Sequence, residues 1–368
     1  MTINCYTSIP SPYQEDLYRE LSKMVDLKVI YEAPLPDHRR DIGWESRLSG
    51  YNYSFENRST VLENIVLDPG SFHFFAGFPG GIKNAVRQAL LPIANSFATQ
   101  TEMPIPEERT NRWLIGAKVY AKYAARRGYS VFGIGEAARQ FFRSLDIPTS
   151  LVFPFAYFAG VQQSKVPDFH GPIIFAGQLI HRKGIDLLLT AVANSRKARS
   201  RGLIIAGTGP RLDFLRNMVD DLGLHNVVHF MGAISSQRIG EYVADASCLV
   251  LPSRFDGWGV VVNEAIGKGV PVVVSDNCGS KELVVHGKCG YLFRCENTEE
   301  LSATLENLLG SEIRWQNLSD QALRYYPTIA PSTGAAFLVD AIRYIRNKTN
   351  DRKPGAPWMS PSIHSSSD

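Results

Sequence analysis

Residues 253–293 read SRFDGWGVVVNEAIGKGVPVVVSDNCGSKELVVHGKCGYLF. The stretch opens with a glycine-punctuated turn, DGWG (256–259), which leads into a helical run, GVVVNEAIGKG (259–269). A continuous apolar run follows, PVVVS (271–275), and a second, GYLF (290–293), comes after KELVVHG. Strands that are apolar throughout, rather than alternating, belong to a parallel sheet covered on both faces.

The same rhythm extends upstream. Apolar runs recur at PIIFAG (172–177), LIIAGTG (203–209), NVVHFMG (226–232) and CLVLP (248–252), with helical patterns between them such as GIDLLLTAV from Gly184 and PRLDFLRNMVDDLG from Pro210. Right-handed crossovers then give a doubly wound, Rossmann-like domain. The N-terminal half repeats the theme. Strands are expected at 3–7, 27–32, 72–77, 93–99 and 129–135, and helices at 13–24, 80–90, 110–127 and 136–145. The fold class expected is therefore α/β, with two Rossmann-like domains over 1–160 and 161–330, joined at the aromatic run LVFPFAYFAG (151–160) and the polar stretch to His170. A helix over 331–348 is expected to pack back on the N-terminal domain, and the Pro- and Ser-rich tail 349–368 to be disordered. Two such domains turn the carboxyl ends of their sheets toward one central cleft, where ligands bind.

Length and composition bound the function. With 368 residues, the chain exceeds the roughly 250–300 at which single cores stop growing. Lys+Arg 39 against Asp+Glu 36 leaves only +3, too little for a dedicated nucleic-acid binder. No run reaches the ~18–20 apolar residues of a membrane helix. MTINCYTSIP lacks the regions of a signal peptide. Five cysteines (Cys5, Cys248, Cys278, Cys289, Cys295) form no CxxC pair and leave one over, which fits reduced thiols. A cytoplasmic protein is expected.

Within the deciding stretch, Asp256 and Glu264 are separated by seven residues. Gly257 and Gly259 permit positive φ and close backbone approach, and the start of the following helix offers free N–H groups to a diphosphate. Glu264, about one and a half turns in, can accept hydrogen bonds from a diol such as a ribose. A seven-residue acid spacing alone is common; here the glycines and the following strand give it weight.

The segment resembles the retaining GT-B glycosyltransferases, specifically glycosyltransferase family 4 (glycosyl transferases group 1). Members carry E-G-F-G-x-x-x-x-E-A followed by P-V-V-x-(S/T)-x-x-G-G-x-x-E. This chain has D-G-W-G-V-V-V-N-E-A and then P-V-V-V-S-D-N-C-G-S-K-E. FAGQLIHRKGIDLL (175–188), IIAGTGPRLDFL (204–215) and VVHFMGAISSQRIGEYVADASCLVLPS (227–253) agree as well, so the likeness spans roughly 170–325. It is weaker in the N-terminal half, at SPYQEDLYRELSK (11–23), VFGIGEAARQFFRSLDIP (131–148) and the FPFAY linker.

The resemblance implies a sugar-nucleotide-dependent, retaining glycosyltransferase. Glu264 would bind the nucleotide ribose and Lys183 the donor diphosphate. Asp256 stands where the family's first Glu contacts the transferred sugar, one methylene shorter. Gln178 replaces a frequent Arg, removing a cation that Arg182 is placed to restore. Backbone groups around Gly207, Gly209, Met231 and Gly232 would line the base pocket. N–H groups near Gly257, Trp258, Gly259, Val260 and Val261 would meet the diphosphate or sugar. Glu282 either pairs locally or reaches donor hydroxyls.

On the acceptor side Tyr13 and Gln14 follow the first strand, and Glu102 follows another strand end. Neither His38 nor His73 stands in a context that assigns an acceptor base. A lysine and a helix start can stabilise a leaving diphosphate without a metal, and there is no Asp-x-Asp pair, so no metal and no cofactor is expected. The partners expected are a nucleotide sugar and a saccharide or lipid-linked acceptor, in bacterial surface polysaccharide or lipopolysaccharide assembly by family analogy. The stretch RTNRWLIGAKVYAKYAARRGY (109–129) holds six cations and no acid. It is either a surface helix or a docking face for an anionic inner leaflet, making the protein peripheral to the membrane.

Two other functions remain open: a sugar-nucleotide 2-epimerase, which needs N-domain acid–base residues not found here, and a non-catalytic sugar-nucleotide-binding subunit, suggested by Gln178 and Asp256. AGTGPRL (206–212) lacks the third glycine of a dinucleotide fingerprint, since Leu212 stands there.

Overall fold

Parallel pairing runs through both sheets of the protein. The structure is a computed structural model, which describes residues 1–41, 43–56, 70–77, 97–103, 114–115, 117–119, 121–122, 126, 128–162, 166–347 and 352–359. The chain divides into one unit of Met1–Asp37, Ser46–Phe158 and Ala330–Pro357, and a second of His38–Glu45, Ala159–Ile329 and Trp358–Asp368.

In the first unit β1 (Thr2–Thr7) leads to α1 (Pro12–Ser22), which starts on a proline whose missing N–H has no intrahelical partner to lose. The chain continues through β2 (Asp26–Tyr31), the single turn α2 (Asp37–Arg40), which from His38 on belongs to the second unit, then β3 (Asn52–Phe55), β4 (Phe72–Ala76), β5 (Phe97–Glu102), β6 (Ser130–Ile134), α3 (Gly135–Ser144) and β7 (Val152–Phe155). The sheet order is β3-β2-β1-β4-β5-β6-β7.

Three features differ from the sequence reading. Of the strand expected over 93–99, residues 93–96 lie outside the described ones; the strand over Phe97–Glu102 runs past the expected end because Thr99, Gln100 and Thr101 are buried in the ladder despite their polarity. The short strand β3 carried no signal: four residues with an exposed face leave little pattern. The aromatic run 151–160 is only partly a linker, since Val152–Phe155 forms an edge strand that tolerates Pro154 there. The helix expected over 80–90 lies outside the described residues. So does much of 110–127, where the described positions 114, 115, 117–119, 121, 122 and 126 are helical.

The second unit runs through β8 (Ile173–Ala176), α4 (Ile185–Asn194), α5 (Arg196–Arg201), β9 (Leu203–Ala206), α6 (Leu212–Asp221), β10 (Val228–Gly232) and α7 (Ser236–Ala244). It continues with β11 (Cys248–Leu251), α8 (Val261–Gly267), β12 (Val272–Ser275), α9 (Lys281–Gly287), β13 (Gly290–Phe293), α10 (Thr298–Leu309) and α11 (Glu312–Tyr325). Its order, β10-β9-β8-β11-β12-β13, repeats that of the first six strands of the other sheet. Ile173, Phe175, Leu188, Val192, Ile205, Val250, Val273 and Leu305 form its core. Each core leucine is worth about 2–5 kcal/mol against truncation to alanine. The strand order reverses between β8 and β11, and in open α/β sheets a crevice opens at the carboxyl ends on either side of such a point.

After α11 the chain returns to the first unit as α12 (Pro331–Asn347), which packs on α1. Gly334 meets the Phe158 ring, and a Cβ there would stand 2.5 Å from it. Part of the tail departs from the disorder expected of it. Trp358 is fully buried, and its carbonyl accepts a 2.6 Å hydrogen bond from Tyr325 Oη. One large indole gives this polar segment the apolar burial that its composition hides.

Candidate active site

Lys183 and Asp256 stand on the two sides of the switch point. After β8 the chain forms a tight turn, His181–Lys183, closed by Gly184 at φ +67°. A Cβ on Gly184 would lie 2.1 Å from the carbonyl of Pro252, just beyond β11, so only glycine lets the turn rest against that strand end. The result is an ion pair. Lys183 Nζ lies 2.5 Å from Asp256 Oδ2, and Arg182 Nη1 lies 3.8 Å from Asp256 Oδ1 while donating to the Phe255 carbonyl at 2.8 Å. Two cations face one carboxylate, leaving one positive charge for an anionic ligand. The Lys183 and Asp256 side chains are only 15% and 12% exposed, so the field is less screened than at a surface.

The Asp256 loop is sewn to its neighbour. Asp256 N donates to Asn277 O at 3.3 Å, Gly279 N to Asp256 O at 3.0 Å and Ser280 N to Trp258 O at 2.9 Å. Trp258 is a core side chain, and its indole donates to the buried Asn263 Oδ1 at 2.8 Å. Asn263 went unnoticed in the sequence; its signal is a polar residue among valines and alanine on an otherwise buried helix face.

Gln178 and the glycine loops after β9 and β10 complete the rim. Gly207 N donates to Gly232 O at 2.8 Å, and Leu179 N to Thr208 O at 2.9 Å. A Cβ on Gly207, at φ +141°, would fall 1.9 Å from the Gly177 carbonyl. Three successive strand ends are thereby laid edge to edge, with Gln178, Gly207, Gly209, Met231 and Gly232 half-buried along them.

Glu264 is half-buried on α8, with Val260 and Val261 at that helix's start. Four residues on, Lys268 donates to the Gln162 carbonyl at 3.1 Å. Burial lowers the Lys268 pKa, while Glu264 and Glu241 pull it back up. Glu282 is buried on α9, and its charge helps raise the phenol of Tyr325, a shift caused chiefly by burial.

Tyr13, Gln14 and Glu102 belong to the first unit. Tyr13 and Gln14 sit in the opening turn of α1, where Tyr18 Oη donates to Gln14 Oε1 at 3.3 Å; Glu102 ends β5. His73 is buried in β4 with Nδ1 3.0 Å from Tyr6 Oη. Among the described residues no group of three or more His, Cys, Asp or Glu is placed to hold a metal ion. Among them, too, no helix is long and apolar enough to cross a membrane.

The architecture is that of the GT-B class. The chain superposes on HepE of Anabaena, solved in complex with UDP, with a TM-score of 0.72 over 93% of this chain and 100% of that one at 15% identity. With WaaG, a glycosyltransferase involved in lipopolysaccharide biosynthesis, the TM-score is 0.64 over 93% and 99%, again at 15% identity. Residues 162–325 match the family of glycosyl transferases group 1. Among relatives, an uncharacterized glycosyltransferase of Methanocaldococcus jannaschii is 30% identical over 144 residues, 39% of this chain and 37% of that one. The GDP-mannose-dependent alpha-(1-6)-phosphatidylinositol monomannoside mannosyltransferase of Mycobacterium tuberculosis is 30% identical over 145 residues, 37% and 38% of the two chains. The alpha-D-kanosaminyltransferase of Streptomyces kanamyceticus is 26% identical over 222 residues, 56% and 58%. The aligned stretch thus spans between 37% and 58% of the length of these three relatives.

Proposed function

We propose that the protein is a retaining glycosyltransferase that moves a sugar from a nucleoside-diphosphate sugar to a saccharide or lipid-linked acceptor, without a metal. The observation that carries the reading is the Lys183–Asp256–Arg182 cluster at the switch point of the second sheet. As the sugar–phosphate bond breaks, negative charge grows on the departing diphosphate oxygen. Lys183, with Arg182 behind it, supplies the compensating charge. Asp256 holds the ammonium until the more highly charged diphosphate competes for it. Glu264 binds the ribose diol, the glycine loops at Gly207, Gly209 and Gly232 receive the base, and the main chain of Gly257–Val261 faces the phosphates or sugar. Tyr13, Gln14 and Glu102 belong to the acceptor side.

The relatives and structural neighbours named above support this setting, since one uses GDP-mannose, another was solved with UDP and a third acts in lipopolysaccharide biosynthesis. An anionic lipid surface fits the first unit. Exposed Ile115, Lys118, Val119, Lys122 and Arg126 recur at helical spacing on one face, while Ala117 and Ala121 are buried.

A thermal-shift screen of UDP, GDP, dTDP and their sugars tests the reading. At 100 times its Kd the correct nucleotide adds about 2.7 kcal/mol of stability. Turnover with an acceptor pool, in the presence of a chelator, then releases the diphosphate and leaves the anomeric configuration of the sugar retained. No stabilisation by any of the nucleotides overturns the reading.

A further inference from the structure

The turn that carries Lys183 is held by a clasp whose members have no role in the account above. Arg254, two residues before Asp256, donates from Nη1 and Nη2 to the two carboxylate oxygens of Asp186 at 2.9 and 2.8 Å. The same Nη1 donates to the carbonyl of His181 at 2.9 Å, and Nε to Glu296 at 2.9 Å. Its main chain is engaged as well: Arg254 N donates to Arg182 O at 2.8 Å, and Arg254 O accepts from Asn277 Nδ2 at 3.1 Å. Asp186 opens α4, three residues beyond Lys183, and takes a further 3.3 Å contact from Arg211 Nη1.

One guanidinium therefore ties the Lys183 turn and the first turn of α4 to the loop that bears Asp256. Both side chains are 17% exposed. Burial alone would push the Asp186 carboxyl up, but the hydrogen bonds and charge of Arg254, with Arg211, hold it below the usual carboxylate range. A bidentate arginine–carboxylate pair fixes plane as well as distance, which an ammonium on a flexible stem does not.

We propose that Arg254 and Asp186 are positioning residues for Lys183, locking the 181–186 turn against the Asp256 loop so that the ammonium meets the donor diphosphate. The proposal rests on the reading of this site as a nucleotide-sugar site. Neither residue acts on the ligand directly; both work through the main chain of His181 and Arg182. Their effect therefore passes through Lys183, and this separates positioning from a general contribution to stability.

Calorimetric titration of the full chain with UDP, GDP and dTDP tests it. A free diphosphate carries the charge that develops on the leaving group, so its affinity reads the lysine's placement. Arg254→Lys and Asp186→Asn are each expected to weaken the bound nucleotide roughly tenfold with the stoichiometry unchanged, which shows that the protein stays folded. In a Lys183→Ala background the same substitutions are expected to change affinity by less than about twofold. Equal losses in both backgrounds, or no loss in either, overturn the positioning role. If Arg254→Lys lowers the stoichiometry, Asp186→Asn carries the same comparison. Wild-type protein that binds none of the three diphosphates overturns the reading of the site and this proposal with it. Wild type that binds alongside variants binding equally well overturns the positioning role alone.

Discussion

The two sheets share a strand order but not a chemistry. In the first unit the layers are filled by aromatic rings: Tyr6 and Phe75 stack with centroids 4.8 Å apart, Phe132 and Phe153 at 5.0 Å, and Phe97 meets Tyr129 at 3.9 Å. In the second, the same topology is packed mainly by Ile, Leu and Val. Both solutions bury both faces of parallel strands, and that is all the fold requires. Function lies at the strand ends. There the second unit places Lys183, Arg182 and Asp256 in one cluster. The candidate residues of the first unit, Tyr13, Gln14 and Glu102, are spread over α1 and β5 and carry one charge among them. A shared architecture thus leaves the division of labour to a few side chains.

The sharpest way to break this contrast is to remove the cation. In the proposed reaction Lys183 faces charge that grows as the diphosphate leaves, so its interaction would be stronger in the transition state than in the ground state. Lys183→Ala is expected to lower kcat by about 10²–10³, comparable to the loss of one preorganised oxyanion donor, with a smaller change in donor KM. Steady-state kinetics with saturating acceptor measure this. A normal kcat with only weakened donor binding would make the lysine a ground-state clamp.

Glu264 sharpens the comparison within the second unit. If Glu264 binds the ribose as proposed, it holds hydroxyls that do not change during reaction, so Glu264→Gln is expected to raise donor KM and spare kcat. The amide still hydrogen-bonds but forfeits the charge-assisted part, about 1.5–3 kcal/mol. Equal losses in kcat and kcat/KM would instead place Glu264 at the reacting sugar.

The second unit was far more legible in the sequence than the first, for a physical reason. Strands such as VVVS (272–275) and LIIA (203–206) are apolar throughout and bounded by glycine or proline, so their pattern is unambiguous. FATQTE (97–102) hides a buried strand behind Thr and Gln, and NYSF (52–55) is too short to carry a period. At the site, the resemblance to the family's motifs brought Asp256 and Lys183 to notice. It could not reveal that their side chains meet, because 73 residues separate them in the chain. Arg254 and Asp186 lie beside those motif residues and drew no reading of their own. Pairing of that kind is decided by the turn at Gly184, which is a property of the folded backbone.

Acid stability gives the smallest expected effect and the last test of the contrast. Asp186, Glu300 and Glu306, all in the second unit, are carboxylates held below their ordinary range. For Glu306 the leading cause is the Lys197 N–H, at 2.9 Å, with Ser195 Oγ at 2.7 Å. For Asp186 the causes opposing burial are Arg254 and Arg211. A carboxyl whose folded pKa is depressed binds its proton more readily when unfolded. Its stabilising contribution is present above the unfolded value, near 3.9 for an aspartate, and is lost as pH falls through the folded one. Denaturant unfolding followed from pH 6 to pH 3 is therefore expected to show a steeper loss of stability in wild type than in Asp186→Asn, whose amide does not titrate. The difference in slope is bounded by one proton, about 1.36 kcal/mol per pH unit, and is smaller in practice because this carboxylate is partly solvated. Glu20, near the end of α1 and paired with the exposed Lys23, supplies the control in the first unit. An ion pair of that kind, on the surface, adds little to stability, so Glu20→Gln is expected to leave the acid slope unchanged. Parallel acid profiles for wild type and Asp186→Asn would show that the Arg254 clasp adds nothing to the stability of the second unit.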